Sequence, residues 1–519
     1  MSRTDGEHFD VIVVGGGNAA LCAALSAREG GGSVLVLERA PQSSAGGNTA
    51  FTGGGMRVPF RGVDDLLELM PELPQEDRDN TDFGEYTEET FFDDLARVTN
   101  YRADPDLAEL LITRSFDTLK WMTTKGIRFI PSYGRQAFKI GGKQKFWGGS
   151  PLEVSGGGLG LVESLTKAVK DAGIEVRYGT RAVELVRTGK AVTGVVVEDE
   201  KERYEIGASS VVLGAGGFQA NTEWRTRYLG PGWDLAKVRG TRYNTGDGIR
   251  MALEIGAMPW GHWSGCHAVS WDLNAPAYGD IRVGHGFNKH HYHLGVMLNA
   301  DGERFVDEGA DIRNFTYAKY GRRVLEQPGQ FAWQIFDSKV ADLLQREYYR
   351  IREVTRVTSD TLEGLVAQLE GVDPVRAMKT LTAFNEAVQA EAPFDPTVKD
   401  GRATTGLDLP KSNWSQRIDE GPFEAFAVTC GVTFTFGGLK VTTDGRVVDV
   451  EERPIPGLFA CGEMVGGLFY FNYPGGSGLT WGAVMGRIAG ISAGSIVPDG
   501  DANAQQTFQL ASRETLNRR

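Results

Sequence analysis

The apolar run Val11-Ile12-Val13-Val14 leads directly into Gly15-Gly16-Gly17-Asn18-Ala19-Ala20, which opens an apolar helical stretch. Strand, glycine turn and helix in that order restrict the chain more than any other segment. Gly15 permits the turn, Gly17 lets the backbone approach a pyrophosphate, and Ala20 is small enough for the helix to pack on the strand. A second apolar strand, Val34 to Leu37, ends in Glu38-Arg39. Glu38 falls where such units carry the acceptor for a ribose hydroxyl pair. A glycine-rich turn alone is common, but its agreement with strand, helix and acidic residue predicts a dinucleotide held at Gly15, Gly17, Asn18, Ala19, Glu38 and Arg39.

At 519 residues the chain is too long for one hydrophobic core. The predicted fold class is α/β: a Rossmann-like domain formed by residues 1–265 and 421–519, with a second, α+β domain, 266–420, inserted in it, to which the resemblance given below assigns the role of a capping domain. The net charge of −13 argues against nucleic acid or an anionic membrane surface as main partner. Cys22, Cys266, Cys430 and Cys461 lie far apart with no C-x-x-C spacing. They read as reduced thiols, and neither an iron–sulfur nor a c-type haem site is visible, so electrons must leave to a separate molecule. No signal core and no apolar run approaching ~20 residues is present, which predicts a soluble, cytoplasmic protein.

After Glu38 comes Ala45 to Gly55, with five glycines and no helix or strand period. A surface linker has the same texture. Its place after the acidic strand end favours a loop that lays its amides along a large ligand, with Gly46, Gly47, Asn48, Thr49, Gly54 and Gly55 as contacts. A nicotinamide does not need such a loop, whereas a buried flavin does. The stretch holds no histidine, so the expected cofactor is non-covalent FAD. Residues 60 to 150 read as mostly helical, with Asp104-Pro105-Asp106 starting one helix. Val192–Val197 and Tyr204–Ile206 read as a hairpin, and Val211 to Leu213 as a separate strand that brings Gly216 and Gly217 to the cofactor. Six of the seven histidines fall between His262 and His293. The first domain resumes with Gly462-Glu463, then Pro474-Gly475-Gly476-Ser477-Gly478 precedes a helix from Leu479 to Ser492. That helix's free amides would stabilise the anionic edge of a reduced flavin, with Ser477 and Leu479 at its start; an ordinary glycine turn with Ser477 as a cap is the alternative. The polar tail past Pro498 reads as a fraying end.

The segments GGGNAA with Glu38, GGNT, GAGGF, GERFVDE, IPGLFACGE, YPGGSG and GRIAG, in this order, resemble the flavoproteins of the fumarate reductase and succinate dehydrogenase family. The resemblance implies FAD in the nucleotide-binding domain and a cap that closes over substrate carboxylates. The wording of GGGNAALCAALSARE, WSGCHAVSWDLNAP, NKHHYHLG, DEGADIRNFTYAKYGR and NYPGGSGLT is most similar to the family's tricarballylate dehydrogenases. Those oxidise propane-1,2,3-tricarboxylate to cis-aconitate and pass electrons to a separate membrane-bound iron–sulfur and haem protein. The resemblance implies Arg313 as the proton-moving arginine and His267 as the substrate-binding histidine, each one place out of register. The family's relay arginine and relay glutamate fall on His291 and Asn288. Its carboxylate-binding arginine falls on Tyr473, and a histidine falls on Phe434. These departures weigh against simple fumarate reduction. The 3-ketosteroid dehydrogenases carry a tyrosine like Tyr473 and form the second reading. They usually have another tyrosine soon after the RFVNE-like block, where this chain has Asp311 and Arg313.

Desaturating a polycarboxylate needs a hydride acceptor, which is flavin N5, and a group that takes the proton of the activated C–H. The expected site residues are Arg313, His267, His291 and Tyr473. Arginine is almost always protonated, so a base role for Arg313 demands a coupled acceptor such as Asp311 or Asp307; a carboxylate clamp or a structural ion pair demands none. His290, His291 and His293, beside Lys289, read as packed rings or as contacts to an anion. No carboxylate or cysteine at a usual spacing completes a metal site there. A small polycarboxylate would meet His267, His291, Arg313 and Arg242 through charge-assisted hydrogen bonds. An electron-transfer subunit with no substrate of its own would have little use for such a cap. Peripheral docking on a membrane electron acceptor is the expected association.

Overall fold

The computed structural model describes residues 6–496; the expectation for the tail past Pro498 lies outside them. The first strand, His8–Val14, runs parallel to Val34–Glu38 on one side and to Arg203–Leu213 on the other. Glu175–Tyr178 and Pro454–Ala460 extend the parallel sheet outward. Val11, Ile12 and Val13 are fully buried, as a strand covered on both faces requires. The helix Asn18–Glu29 returns from the glycine turn, and Gly15 has φ +119, a conformation that favours glycine. A Cβ there would also collide with the Gly214 carbonyl.

The last helix, Ser477–Gly494, lies against Asn18–Glu29 along a stripe of glycines four residues apart. A Cβ on Gly486 or Gly490 would strike the backbone carbonyls of Ala19 and Ala23. Glycine at those positions lets the two backbones close up and brings both helix N-termini to one cavity.

Residues 60 to 150 are helical through Pro105–Thr124, where Asp104 caps the helix by accepting from the amides of Asp106 and Leu107. Beyond Phe129 the expected helical texture gives way to short strands, Phe129–Pro131, Ala137–Ile140, Lys143–Phe146 and Leu152–Val154. The hairpin of Ala191–Glu198 is present, but the two segments expected at Tyr204 and Val211 form one strand, Arg203–Leu213. Its first half pairs with the hairpin and its second half with His8–Val14 and Pro454–Ala460.

A six-stranded sheet forms the second layer around the strand Phe423–Leu439. Antiparallel to it lies Pro259–Asp272, within which the expected border at 265/266 falls. Ala332–Phe336 and Arg356–Ser359 pair with the outer half of the same strand. A separate small core, with Trp333, Ile335, Leu381, Phe384 and Ala425, packs on that half.

Candidate active site

One cavity of about 2030 Å³, counting its open mouth, runs between the two layers. Its lining reaches from the glycine turn at Gly15 to Arg239, Arg313 and Tyr473, so one continuous groove joins the helix N-termini to a cluster of cations and aromatics. Gly15, Gly17, Asn18, Ala19, Glu38 and Arg39 line one end, followed by Gly47, Asn48, Thr49 and Gly55. Gly216, Gly462, Glu463 and Leu479 line the middle. Gly46, Gly54, Gly217 and Ser477 stand behind this wall instead. A Cβ on Gly46 would press on Val162, one on Gly54 on Gly157, and one on Gly217 on Glu463 and Thr435.

The residues present fit FAD. The two helices that open at Asn18 and Ser477 start after glycines and carry no capping side chain, so amides and the positive dipole ends face the cavity. Thr49 accepts from the Asn18 amide at 3.1 Å, and Asn48 bridges its loop to the Thr433 carbonyl and the Thr241 amide. The Glu38 carboxylate accepts from the Ala40 amide at 2.7 Å, and its buried place raises its pKa. Arg39 is held by Asp247 at 2.7 Å. Glu463, also buried, accepts from the Thr435 amide at 2.9 Å; burial lifts its carboxyl to about 7.

At the far end the wall becomes cationic and aromatic. Arg313 lies in a 3-10 turn, Arg313–Phe315, fastened to the glycine loop by the Gly475 amide donating to Asn314 at 3.1 Å and by Asn472 donating to Phe315 at 2.6 Å. Its guanidinium lies 4.7 Å from the Trp147 ring centre and donates to the Arg135 carbonyl at 2.8 Å, while one terminal nitrogen has no partner among the described residues. Arg239 follows the short strand Lys237–Val238, and its amide is pinned to the Val432 carbonyl. Its guanidinium donates to the Thr433 hydroxyl at 3.2 Å, and its Nε has no partner among the described residues. Burial lowers the pKa of both. No ion pair joins either to a carboxylate among the described residues. Arg135, the third cavity arginine, is paired with Glu153 and, at 3.7 Å, with Glu347.

His267 and Phe434 are opposite partners on adjacent strands, beside a register shift between His267 and Ala268. Such a bulge re-aims side chains at a site rim. The His267 ring meets Phe434, Tyr317 and Tyr473 edge-on or tilted at 4.8–5.2 Å, and neither of its nitrogens has a partner among the described residues. Burial first, then Arg239, holds it well below its usual pKa, hence neutral. The hydroxyls of Tyr317 and Tyr473 touch each other in the cavity wall.

Several expected roles move. His291 does not line the cavity; its ring turns toward Phe138, His293 and Tyr349, and His290 takes the cavity place. The 3-10 turn that starts here puts successive side chains on different sides. Arg242 lies over Tyr278, outside the lining, and Arg239 supplies the cation expected of it. Asp311 pairs with Arg97 and Lys399, and Asp307 accepts from Ser412, so neither carboxylate is coupled to Arg313. Arg239, Arg135 and Tyr317 were not anticipated from sequence. For Tyr317 a signal existed, since it follows Arg313 by one helical turn.

The FAD binding domain family model matches residues 10–479. The probable fumarate reductase Ifc3 of Shewanella frigidimarina is 30% identical over 94% of this chain and 75% of its own length. The open conformation of a flavocytochrome c3 fumarate reductase superposes with a TM-score of 0.72 at 29% identity, covering 95% of this chain and 79% of that one. A 3-ketosteroid delta1-dehydrogenase from Sterolibacterium denitrificans shares the fold, with a TM-score of 0.70 at 21% identity over 94% of this chain and all of that one.

Proposed function

The chain belongs to the fumarate reductase and succinate dehydrogenase flavoprotein family and is an FAD-dependent oxidoreductase acting on CH–CH groups; from that premise we propose that it desaturates a small polycarboxylate, tricarballylate to cis-aconitate. One observation carries the reading: Arg239 and Arg313 are buried in one cavity without an acidic partner among the described residues. Two uncompensated buried charges cost several kcal/mol each, and a ligand bearing two or more carboxylates offsets that cost. FAD, held without a covalent bond, supplies the two-electron acceptor. Arg239 and Arg313 fix the carboxylates, the aromatic wall of Phe434, Phe469 and Tyr473 excludes water, and Arg313 manages the proton from the activated carbon. With Asp307 and Asp311 engaged elsewhere, Tyr317, whose phenol burial keeps neutral, is the neighbour of Arg313 that passes the proton on. Residues 266–420 serve as the cap, and a separate iron–sulfur or haem protein takes the electrons.

Tricarballylate added anaerobically bleaches the flavin absorbance, and Arg313→Ala abolishes bleaching while FAD stays bound. Normal turnover of Arg313→Ala removes this arginine from the mechanism. The contact between the Tyr317 and Tyr473 hydroxyls favours a second reading, in which the pair holds a ketone oxygen. Bleaching by a 3-ketosteroid, and not by tricarballylate, selects it.

A further inference from the structure

Arg239 and Arg313 are permanent charges and match two carboxylates. A tricarboxylate brings a third, and the cavity holds no further arginine or lysine free of an acidic partner among its described lining residues. We propose that His290 binds the third carboxylate, taking up one proton from solvent as the polyanion settles between Arg239 and Arg313. The inference rests on the polycarboxylate reading and adds the residue that sets the preference for three carboxylates over two.

His290 is 6% exposed, lines the cavity, and has an Nδ1 without a partner among the described residues. Tyr317 and Tyr348 meet its ring edge-on at 4.9 and 5.6 Å, and burial keeps both phenols protonated. Its charged surroundings are all positive: Arg313 on the 3-10 turn and Arg239 on the facing loop, with the neutral rings of His267 and His291 on either side. Carboxylates near this end are taken. Glu347 pairs with His285 at 3.4 Å and Arg135 at 3.7 Å, and Asp272 lies 3.4 Å from Lys289. Burial and the two guanidinium charges therefore keep His290 neutral in the ligand-free protein.

A polyanion reverses each of those causes except burial. Its carboxylates cancel the fields of Arg239 and Arg313, and an oxygen placed at Nδ1 accepts a charge-assisted hydrogen bond from an imidazolium. The balance is one solvent proton gained by His290 per ligand bound, with no bond to carbon broken. A dicarboxylate satisfied by the two arginines requires no such proton. Linkage then weakens tricarboxylate binding about tenfold per pH unit wherever the free ring is neutral and the complexed ring is charged, so the three-over-two preference grows as pH falls.

The test titrates oxidised, FAD-loaded protein with cis-aconitate, a product that cannot reduce further flavin, and with fumarate as the dicarboxylate. Calorimetry at pH 7 in two buffers of different ionisation enthalpy counts the protons. About one proton taken up per cis-aconitate and near none per fumarate is the expected result, and it needs no variant. His290→Gln loses the uptake and the tenfold-per-pH preference, while fumarate affinity stays within a few fold. Wild-type binding of cis-aconitate without proton uptake overturns the proposal, as does uptake that survives His290→Gln and disappears in His267→Gln. Failure of both acids to bind strikes the polycarboxylate reading itself.

Discussion

Replacing Arg239 by Met separates a binding role from a structural one, because the two predict opposite changes in stability. The guanidinium is buried, its Nε lacks a partner among the described residues, and it donates to the Thr433 hydroxyl at 3.2 Å. Methionine keeps the stem and removes the charge. Exchange of a poorly compensated buried charge for an apolar group of similar volume typically stabilises by ~1–4 kcal/mol. With ~2.1 cal/mol/K of unfolding entropy per residue over this chain, each kcal/mol moves Tm by about 1 °C. The ligand-free variant should therefore melt about 1–4 °C higher than the wild type. Binding should move the other way. A lost charge-assisted hydrogen bond costs about 1.5–3 kcal/mol, a 10- to 150-fold rise in Kd for tricarballylate or cis-aconitate. At a ligand concentration near 100 times the wild-type Kd, stabilisation of about 2.7 kcal/mol should fall to about 0.3–1.4 kcal/mol. Scanning calorimetry with and without cis-aconitate reads both changes in one experiment. A variant that melts several degrees lower, with an unchanged ligand-induced shift, refutes the reasoning and makes Arg239 a fold-holding residue.

Gly15→Ala, forced into φ +119 against the Gly214 carbonyl, should yield protein without bound FAD, read as loss of yellow colour after gel filtration. Asp311→Asn should keep turnover within about fivefold, the scale of ~1 kcal/mol for a partly exposed ion pair, since Asp311 serves Arg97 and Lys399 and is not coupled to Arg313; a collapse of turnover would restore Asp311 as the proton acceptor. Burial lifts the Glu463 carboxyl from 4.5 to about 7, so the folded FAD-free protein keeps a proton that the unfolded chain releases. That contribution is complete below pH 4.5, fades as pH rises to about 7, and is gone above it; Glu463→Gln should flatten the decline of Tm across this window.

The nucleotide end of the cavity was legible because its chemistry is written in contiguous residues. Gly15 to Ala19, Glu38 and the loop at Asn48 are fixed by backbone geometry close in sequence, and the structure sets them along one wall. The cationic, aromatic end is assembled from separate elements, and there fewer of the expected side chains reach the cavity. Arg239 belongs to no periodic pattern, and its place depends on the parallel pairing of Lys237–Val238 with Gly431–Val432. Choosing between His290 and His291 requires the phase of a short 3-10 turn, which neighbouring residues of like type do not reveal. Tyr317 becomes significant only because Tyr473, from the end of the chain, meets it. Asp311 looked available beside Arg313, yet Arg97, remote in sequence, occupies it.

The strand Phe423–Leu439 carries Ala332–Phe336 and Arg356–Ser359 on its first half, while Thr433 to Phe436 on its second half form cavity wall. The cover and the floor are thus one continuous girder. Any swing of one layer against the other has to bend this girder or slip its pairing with Pro259–Asp272, whose register already shifts between His262 and Cys266 and between His267 and Ala268. Crowding at Ala425, on the outer half, should on that account be transmitted lengthwise to Phe434, so that tolerance to mutation along this span tracks distance from the register shifts more closely than distance from the cavity.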